Sequence, residues 1–253
     1  VSADGDRIVT CGSHPDKGDS LKLWNAKTGE MVWVGDGQQI VTDVVFSPDG
    51  SRLISGGGKS VCVLDARTGK ILLDLPAKGR VQCVAISPHG KRIVAGSSDE
   101  ELQMWDARTG KALTLLQGHT NGVTSVAFSP DGKLIATSIS ERTIVIRNAD
   151  NGDLLFTLTN HRSLVRQMIF ALDNSTLIAS IESGSVVFTH AVTGQELVEF
   201  PDIGDVQRLL LLEDGRYLVC QIRRKFAEIV DEVVIFDSGI SNTAAQSRDS
   251  KLR

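Results

Sequence analysis

The fold class predicted from the sequence is all-β: a β-propeller of four-stranded antiparallel blades, with about six blade units of which the first and last are incomplete. Two repeating motifs and one absence carry this reading. The first motif runs Leu21-Lys-Leu-Trp-Asn-Ala-Lys-Thr-Gly29, Val61-Cys-Val-Leu-Asp-Ala-Arg-Thr-Gly69, Leu102-Gln-Met-Trp-Asp-Ala-Arg-Thr-Gly110, Ile144-Val-Ile-Arg-Asn-Ala-Asp-Asn-Gly152, Val186-Val-Phe-Thr-His-Ala-Val-Thr-Gly194 and Val233-Val-Ile-Phe-Asp-Ser. Its fourth positions are Trp24, Leu64, Trp105, Arg147, Thr189 and Phe236, a beat of 40 to 47 residues. The second motif keeps the same beat as Ser47-Pro-Asp-Gly50, Ser87-Pro-His-Gly90 and Ser129-Pro-Asp-Gly132, with fainter echoes at Ser2, Ala171 and Leu212. No segment sustains a period of 3.6, so no long helix is expected.

Each unit reads in order as four strands. Val41–Phe46 and Val123–Phe128 are β-branched apolar runs suited to an inner strand. The Pro-Asp-Gly that follows supplies the positive φ of a tight hairpin. Arg52–Ser55 or Lys133–Ala136 forms the second strand, and a Gly/Ser turn leads to the third, near residues 20–25, 60–65, 101–106, 143–148, 185–190 and 232–237. Thr-Gly then turns the chain into a fourth strand such as Lys70–Asp74 or Leu154–Leu158. One domain therefore covers residues 1–238, and the polar tail 239–253 is expected to be disordered.

Composition agrees. The chain has 253 residues, 41% of them hydrophobic, so it can bury a sizeable core. Its 24 glycines against 6 prolines suit many tight turns. A net charge of -4 argues against a nucleic-acid or anionic-membrane surface, and no apolar run reaches the length of a membrane span. Cys11, Cys62, Cys83 and Cys220 lie singly in apolar runs, which suggests free thiols in a reducing, cytoplasmic setting.

The repeat resembles the WD-repeat β-propeller family, of a bacterial texture, over residues 1–238. Trp105-Asp106 with Ser97-Ser98-Asp99 before it, Gly118-His119 ahead of Val123, and Trp24 carry the likeness. The resemblance implies a hydrogen-bonded tetrad of His, Ser or Thr, Asp and Trp in each unit, and none here is complete. Ala77 stands where the Trp105 unit needs His; the His119 unit has Arg147 for Trp and Glu141 near the Asp; the His161 unit has Thr189 and His190. The blades should therefore rest mainly on strand ladders and apolar packing. The first unit lacks an inner strand and the last an outer one. A fragment of a longer chain, with two raw sheet edges, is expected. An upstream piece of the same chain with two strands would close six blades, and one of about 60 residues seven.

No catalytic constellation is evident. His14, His89, His119, His161 and His190 have no partner at metal spacing, Gly56-Gly-Gly-Lys-Ser60 lacks the spacing of a phosphate loop, and the carboxylates fall in turns. No enzyme activity, metal or cofactor is expected. The resemblance implies that the turns between second and third strands, and the links before each first strand, share one (upper) face. Two of these turns are long, Gly12–Ser20 and Arg223–Asp231. That face also collects Asp36, Gln38, Lys78, Arg80, Asn121, Arg142, His161 and Arg162. Arg223, Arg224 and Lys225 beside Phe226 form the one cationic cluster with an aromatic neighbour, suited to an acidic or phosphorylated protein or peptide partner. The expected function is a non-catalytic protein-interaction scaffold using this face. The alternative is a C-terminal sensor or regulatory module of a larger bacterial signalling protein, such as a Ser/Thr kinase or ATPase, with its catalytic domain outside this chain.

Overall fold

The computed structural model describes residues 1–12, 21–35, 40–99, 102–116, 122–139, 142–159, 163–212, 215, 217–224 and 230–237. They fold into six antiparallel sheets arranged as a six-bladed β-propeller, and no helix is present among them. The first sheet holds β1 (Arg7–Cys11), β2 (Leu21–Asn25) and β3 (Met31–Val34). The second holds β4 (Asp43–Phe46), β5 (Arg52–Gly57), β6 (Ser60–Asp65) and β7 (Ile71–Pro76). The third holds β8 (Val81–Ile86), β9 (Arg92–Ser97), β10 (Leu102–Asp106) and β11 (Ala112–Leu116). The fourth holds β12 (Val123–Phe128), β13 (Leu134–Ile139), β14 (Thr143–Asn148) and β15 (Leu154–Leu158). The fifth holds β16 (Val165–Phe170), β17 (Thr176–Ile181), β18 (Val186–His190) and β19 (Glu196–Phe200). The sixth holds β20 (Asp205–Leu212), β21 (Tyr217–Arg224) and β22 (Val230–Asp237). Among the described residues the first sheet starts at a second strand and the sixth stops at a third.

The Ser-Pro-Asp-Gly motif makes the lower hairpins by a repeated mechanism. The Ser47 hydroxyl accepts the Arg52 N–H at 2.9 Å and donates to Asp49 Oδ1 at 2.6 Å, while Asp49 accepts the Ser51 N–H at 3.0 Å. Ser129 and Asp131 repeat it. Gly132, at φ 71°, holds the left-handed position that closes such a turn. The turns after the third strands of the first five blades are also self-capped. Asp65 Oδ1 accepts from the N–H groups of Arg67 and Thr68, and Asp106 Oδ1 does so from Arg108 and Thr109.

Among the described residues the core is not one mass but five apolar clusters, one at each seam between consecutive sheets. Leu21, Leu23 and Val41 meet Leu53 and Leu64 between the first and second sheets. Ile178, Val186 and Phe188 meet Leu209, Leu218 and Cys220 between the fifth and sixth. Close approach at a seam needs small residues. A Cβ on Gly96 would stand 2.5 Å from Val123 Cγ1 of the next blade.

Polar ties cross the same seams at a repeating position. Asp43, Cys83, Ser125, Gln167 and Arg208 occupy one equivalent place on β4, β8, β12, β16 and β20. Asp43 Oδ2 accepts the Val84 N–H at 3.0 Å, Ser125 Oγ the Met168 N–H at 3.0 Å, and Gln167 Oε1 the Leu209 N–H at 2.7 Å. Cys83 Sγ instead donates to the Val123 carbonyl, at 3.9 Å. One place earlier, the Thr42 and Thr124 hydroxyls donate to the carbonyls of Val81 and Val165 at 2.9 and 3.0 Å. Near the lower end Arg52 and Arg92 donate to the carbonyls of Ala107 and Ala149 on the next blade, both at 2.9 Å.

Candidate functional site

Alternating strand direction puts the hairpins after each first and third strand at the lower end. The second-to-third turns and the links between blades lie at the upper end. Most of the upper rim falls outside the described residues. That holds for His14 and the other residues of 13–20, for Asp36, Gln38, His119, Asn121, Glu141, His161, Arg162, Lys225, Phe226 and the tail.

Of the upper-face residues that are described, Arg80 is exposed, and its carbonyl accepts the Ser98 N–H at 2.9 Å. Arg142 is exposed on the turn before β14 and has a φ of 64°, a left-handed conformation uncommon for a side chain of this length. Arg223 and Arg224 do not stand in a long turn. They are the last two residues of β21, with Arg223 opposite Asp205 on one side and Asp231 on the other, and Arg224 opposite Val230. The ladder runs longer than expected because β-branched Val230 and Val233 continue β22 downward from that turn. Only 225–229 separate the two strands.

The repeat-signature residues serve the blades themselves. Trp105 is buried in the seam between the second and third blades. Ser97 is buried at the end of β9 opposite Val81. Asp99 is exposed, accepts from the Ser98 hydroxyl at 2.9 Å, and lies so close to Gly79 that a Cβ there would clash with its carboxylate. Among the described residues no imidazole hydrogen-bonds Asp99.

An indole–hydroxyl pair does exist, in the first blade. Trp24 Nε1 donates to Thr10 Oγ1 at 2.9 Å across β1 and β2. Trp24 stands opposite Ile8, and Trp105 opposite Ile93, so the place of Thr10 is held by Ala95 in the third blade. The signal for this pair lies in strand register and not in sequence spacing: Thr10 is two residues past Ile8, the residue facing Trp24. Arg147, at the Trp place in the fourth blade, is buried and donates from Nη1 to the Gly152 carbonyl at 3.1 Å. Burial lowers the pKa of its guanidinium from the ordinary value.

Nothing among the described residues gathers three potential metal ligands. The four thiols are free, and three of them are buried. Burial pushes Cys62 up to about 11 and Cys220 up to about 12, and raises Cys83 further. These are packing residues and poor nucleophiles. His190 Nδ1 accepts the Thr193 N–H at 3.1 Å as a turn cap. Among the described residues no helix is long and apolar enough to cross a membrane.

Comparison with known proteins gives one family signal and several relatives. Residues 29–65, 69–106 and 110–148 match the family profile described as WD domain, G-beta repeat. The chain is 30% identical over 119 residues to eukaryotic translation initiation factor 3 subunit I of Coccidioides immitis, covering 40% of this chain and 35% of that protein. It is 31% identical over 120 residues to the protein of the same name from Aspergillus fumigatus, covering 40% and 35%. It is 30% identical over 131 residues to CCR4-associated factor 4 of Saccharomyces cerevisiae, covering 49% of this chain and 16% of that protein. The match thus spans about a third of the length of the initiation-factor subunits and less of the yeast protein.

Proposed function

We propose that the chain is a member of the WD-repeat β-propeller family, whose profile matches residues 29–65, 69–106 and 110–148, and that it is a non-catalytic scaffold binding protein or peptide partners on the upper rim of the ring. One observation carries this reading. Polar side chains of the strands are taken up in tying one blade to the next, as those of Asp43, Ser125, Gln167, Arg52 and Arg92 are, whereas the upper rim presents Arg80 and Arg142 exposed to partners. Arg80, Arg142, Arg223 and Arg224 stand at the upper end, where an acidic or phosphorylated segment would find charge complementarity. Lys225, Phe226, His161 and Arg162 belong to the same proposed surface. The relatives named above, a translation initiation factor subunit and a CCR4-associated factor, are by their names parts of protein assemblies, which supports the same reading.

The proposal includes a cytoplasmic setting, supported by four unpaired thiols in which no disulfide forms. It also includes a further strand of the same polypeptide along the open edge of β1, which pairs only with β2 among the described strands. No observation in the fold favours the regulatory-module alternative over this one.

The test is a variant carrying Arg80→Ser, Arg142→Asn, Arg223→Ser, Arg224→Ser and Lys225→Ser, compared with the unaltered chain by quantitative affinity capture. Asn is used at position 142 because it tolerates positive φ. Loss of the specifically bound proteins is expected; an unchanged set removes the upper rim from the account. Hydrolysis of peptides or lactones by the purified chain would overturn its non-catalytic part.

A further inference from the structure

The turn after each third strand carries a side chain at its third and sixth places, followed directly by the outer strand. In the first blade these are Lys27 and Glu30, and in the fourth Asp150 and Asp153. All four are engaged locally. Lys27 Nζ lies 2.8 Å from Asp6 and Asp150 lies 2.7 Å from Arg92. Glu30 accepts from the Thr28 hydroxyl at 3.2 Å and Asp153 from the Asn151 amide at 2.6 Å.

The second and third blades differ. Their residues at these places are Arg67 and Lys70, then Arg108 and Lys111. All four cations are exposed, and none forms an ion pair among the described residues. The carboxylates nearest in sequence, Asp65 and Asp106, face their own turns and accept backbone and threonine hydrogen bonds there. Immediately beyond the cations the outer strands expose Ile71 and Leu72 on β7 and Leu113 on β11. The two blades are neighbours, since the Gly110 turn of the third sits against Leu73 and Leu75 of the second. Four exposed cations that form no close ion pair among the described residues thus share one sector of the lower rim with exposed aliphatic side chains.

We propose that this sector, built on Arg67, Lys70, Leu72, Arg108, Lys111 and Leu113, is a second docking surface, and that it takes an acidic peptide segment with interspersed apolar residues. Carboxylates of the segment meet the four cations, and its apolar side chains cover Leu72 and Leu113. Charge complementarity selects this occupant. The acidic character of the same turns in the fourth blade confines it to the second and third. The surface lies at the opposite end of the ring from the upper rim, so the two can be occupied together.

The probe is a fluorescein-labelled peptide of alternating glutamate and leucine, titrated with the full chain and read by anisotropy. Changing Arg67, Lys70, Arg108 and Lys111 to Glu should weaken binding by about tenfold or more, since each exposed pair contributes a fraction of a kcal/mol and each like-charge replacement adds repulsion. Arg80→Ser with Arg142→Asn should leave binding unchanged. Should the charge-reversed chain misfold by circular dichroism, Lys70→Gln with Lys111→Gln is the substitute and should weaken binding about threefold. Equal binding by wild type and lower-rim variant, absence of binding, or loss only with the upper-rim substitutions each overturns the proposal. So does a salt-sensitive dimer that these substitutions dissociate, which would make the sector a contact between copies.

Discussion

Arg208 Nη1 lies 3.1 Å from Asp43 Oδ1, joining the sixth blade to the second across the place where the first has no inner strand among the described residues. The two residues hold the same place on β20 and β4. Elsewhere that place makes a short tie to the next blade, as Ser125 does to Met168. At β20 the described residues offer no next inner strand, and the Arg208 guanidinium reaches the second blade instead. The other side of the gap shows the matching accommodation. The Val44 N–H, which would meet the side chain of a preceding inner strand, is taken up at 3.0 Å by Asp43 Oδ1 itself. Asp43 therefore serves three groups, Val44, Val84 and Arg208.

The interior ties predict a position-dependent cost. Ser125 is buried, so Ser125→Ala leaves the Met168 N–H without its acceptor and should lower stability by about 1–3 kcal/mol. Ser98→Ala, at an exposed hydroxyl bonded only to neighbouring Asp99, should stay within about 0.5 kcal/mol. Urea denaturation of both variants checks the contrast, and equal losses would count against the interior ties.

Acid stability follows from the turn aspartates. The Ser47 hydroxyl, helped by the Ser51 N–H, lowers Asp49 to about 2, and Thr68 and Thr109 lower Asp65 and Asp106 in the same direction. A carboxylate lowered on folding contributes stability that is fully present above its unfolded value, near 4, and is lost as pH falls through the folded value. Thermal melting should therefore be flat just above pH 4 and fall steadily between about pH 4 and 2. Ser47→Ala should raise the Asp49 value, measured by NMR titration of its carboxyl. These carboxyls are exposed, so each contribution is small.

Thiol chemistry reports on the seams. Thiol–disulfide exchange needs thiolate, and burial holds Cys62, Cys83 and Cys220 well above their ordinary values. An aromatic disulfide reagent at pH 8 should modify these three only as fast as the fold opens, and half-buried Cys11 sooner. Adding denaturant should expose all four. Rapid native modification of Cys83 would contradict a closed seam between the third and fourth blades.

Much of the fold was legible because its signals are local. Val-x-x-Val runs gave the inner strands, Pro-Asp-Gly the lower hairpins, and Asp-Ala-Arg-Thr-Gly the turns before the outer strands, each a matter of backbone conformation within a few residues. The ties between blades were not legible. Asp43, Cys83, Ser125, Gln167 and Arg208 share a place but no residue type, because a hydrogen bond to a neighbouring backbone can be made by many side chains. The Trp24–Thr10 pair was hidden for a related reason: its signal lies in the pairing register, not in the spacing along the chain. Of the candidate surface, Arg80 lies in the link before β8 and Arg142 on the turn before β14, while Arg223 and Arg224 belong to a strand. A run of cations does not reveal where a ladder stops.

The link from Arg208 to Asp43 joins the sixth blade to the second across the first, which has no inner strand among the described residues, and both docking surfaces depend on the ring it helps to hold. A double-mutant cycle of Arg208→Ala and Asp43→Asn, followed by urea denaturation at low salt, tests it most directly. Arg208 is half exposed and Asp43 nearly buried, so a coupling of about 1 kcal/mol is expected, and it should shrink in about 1 M NaCl. A coupling within about 0.3 kcal/mol of zero at low salt would mean that the two residues do not hold the sixth blade to the second.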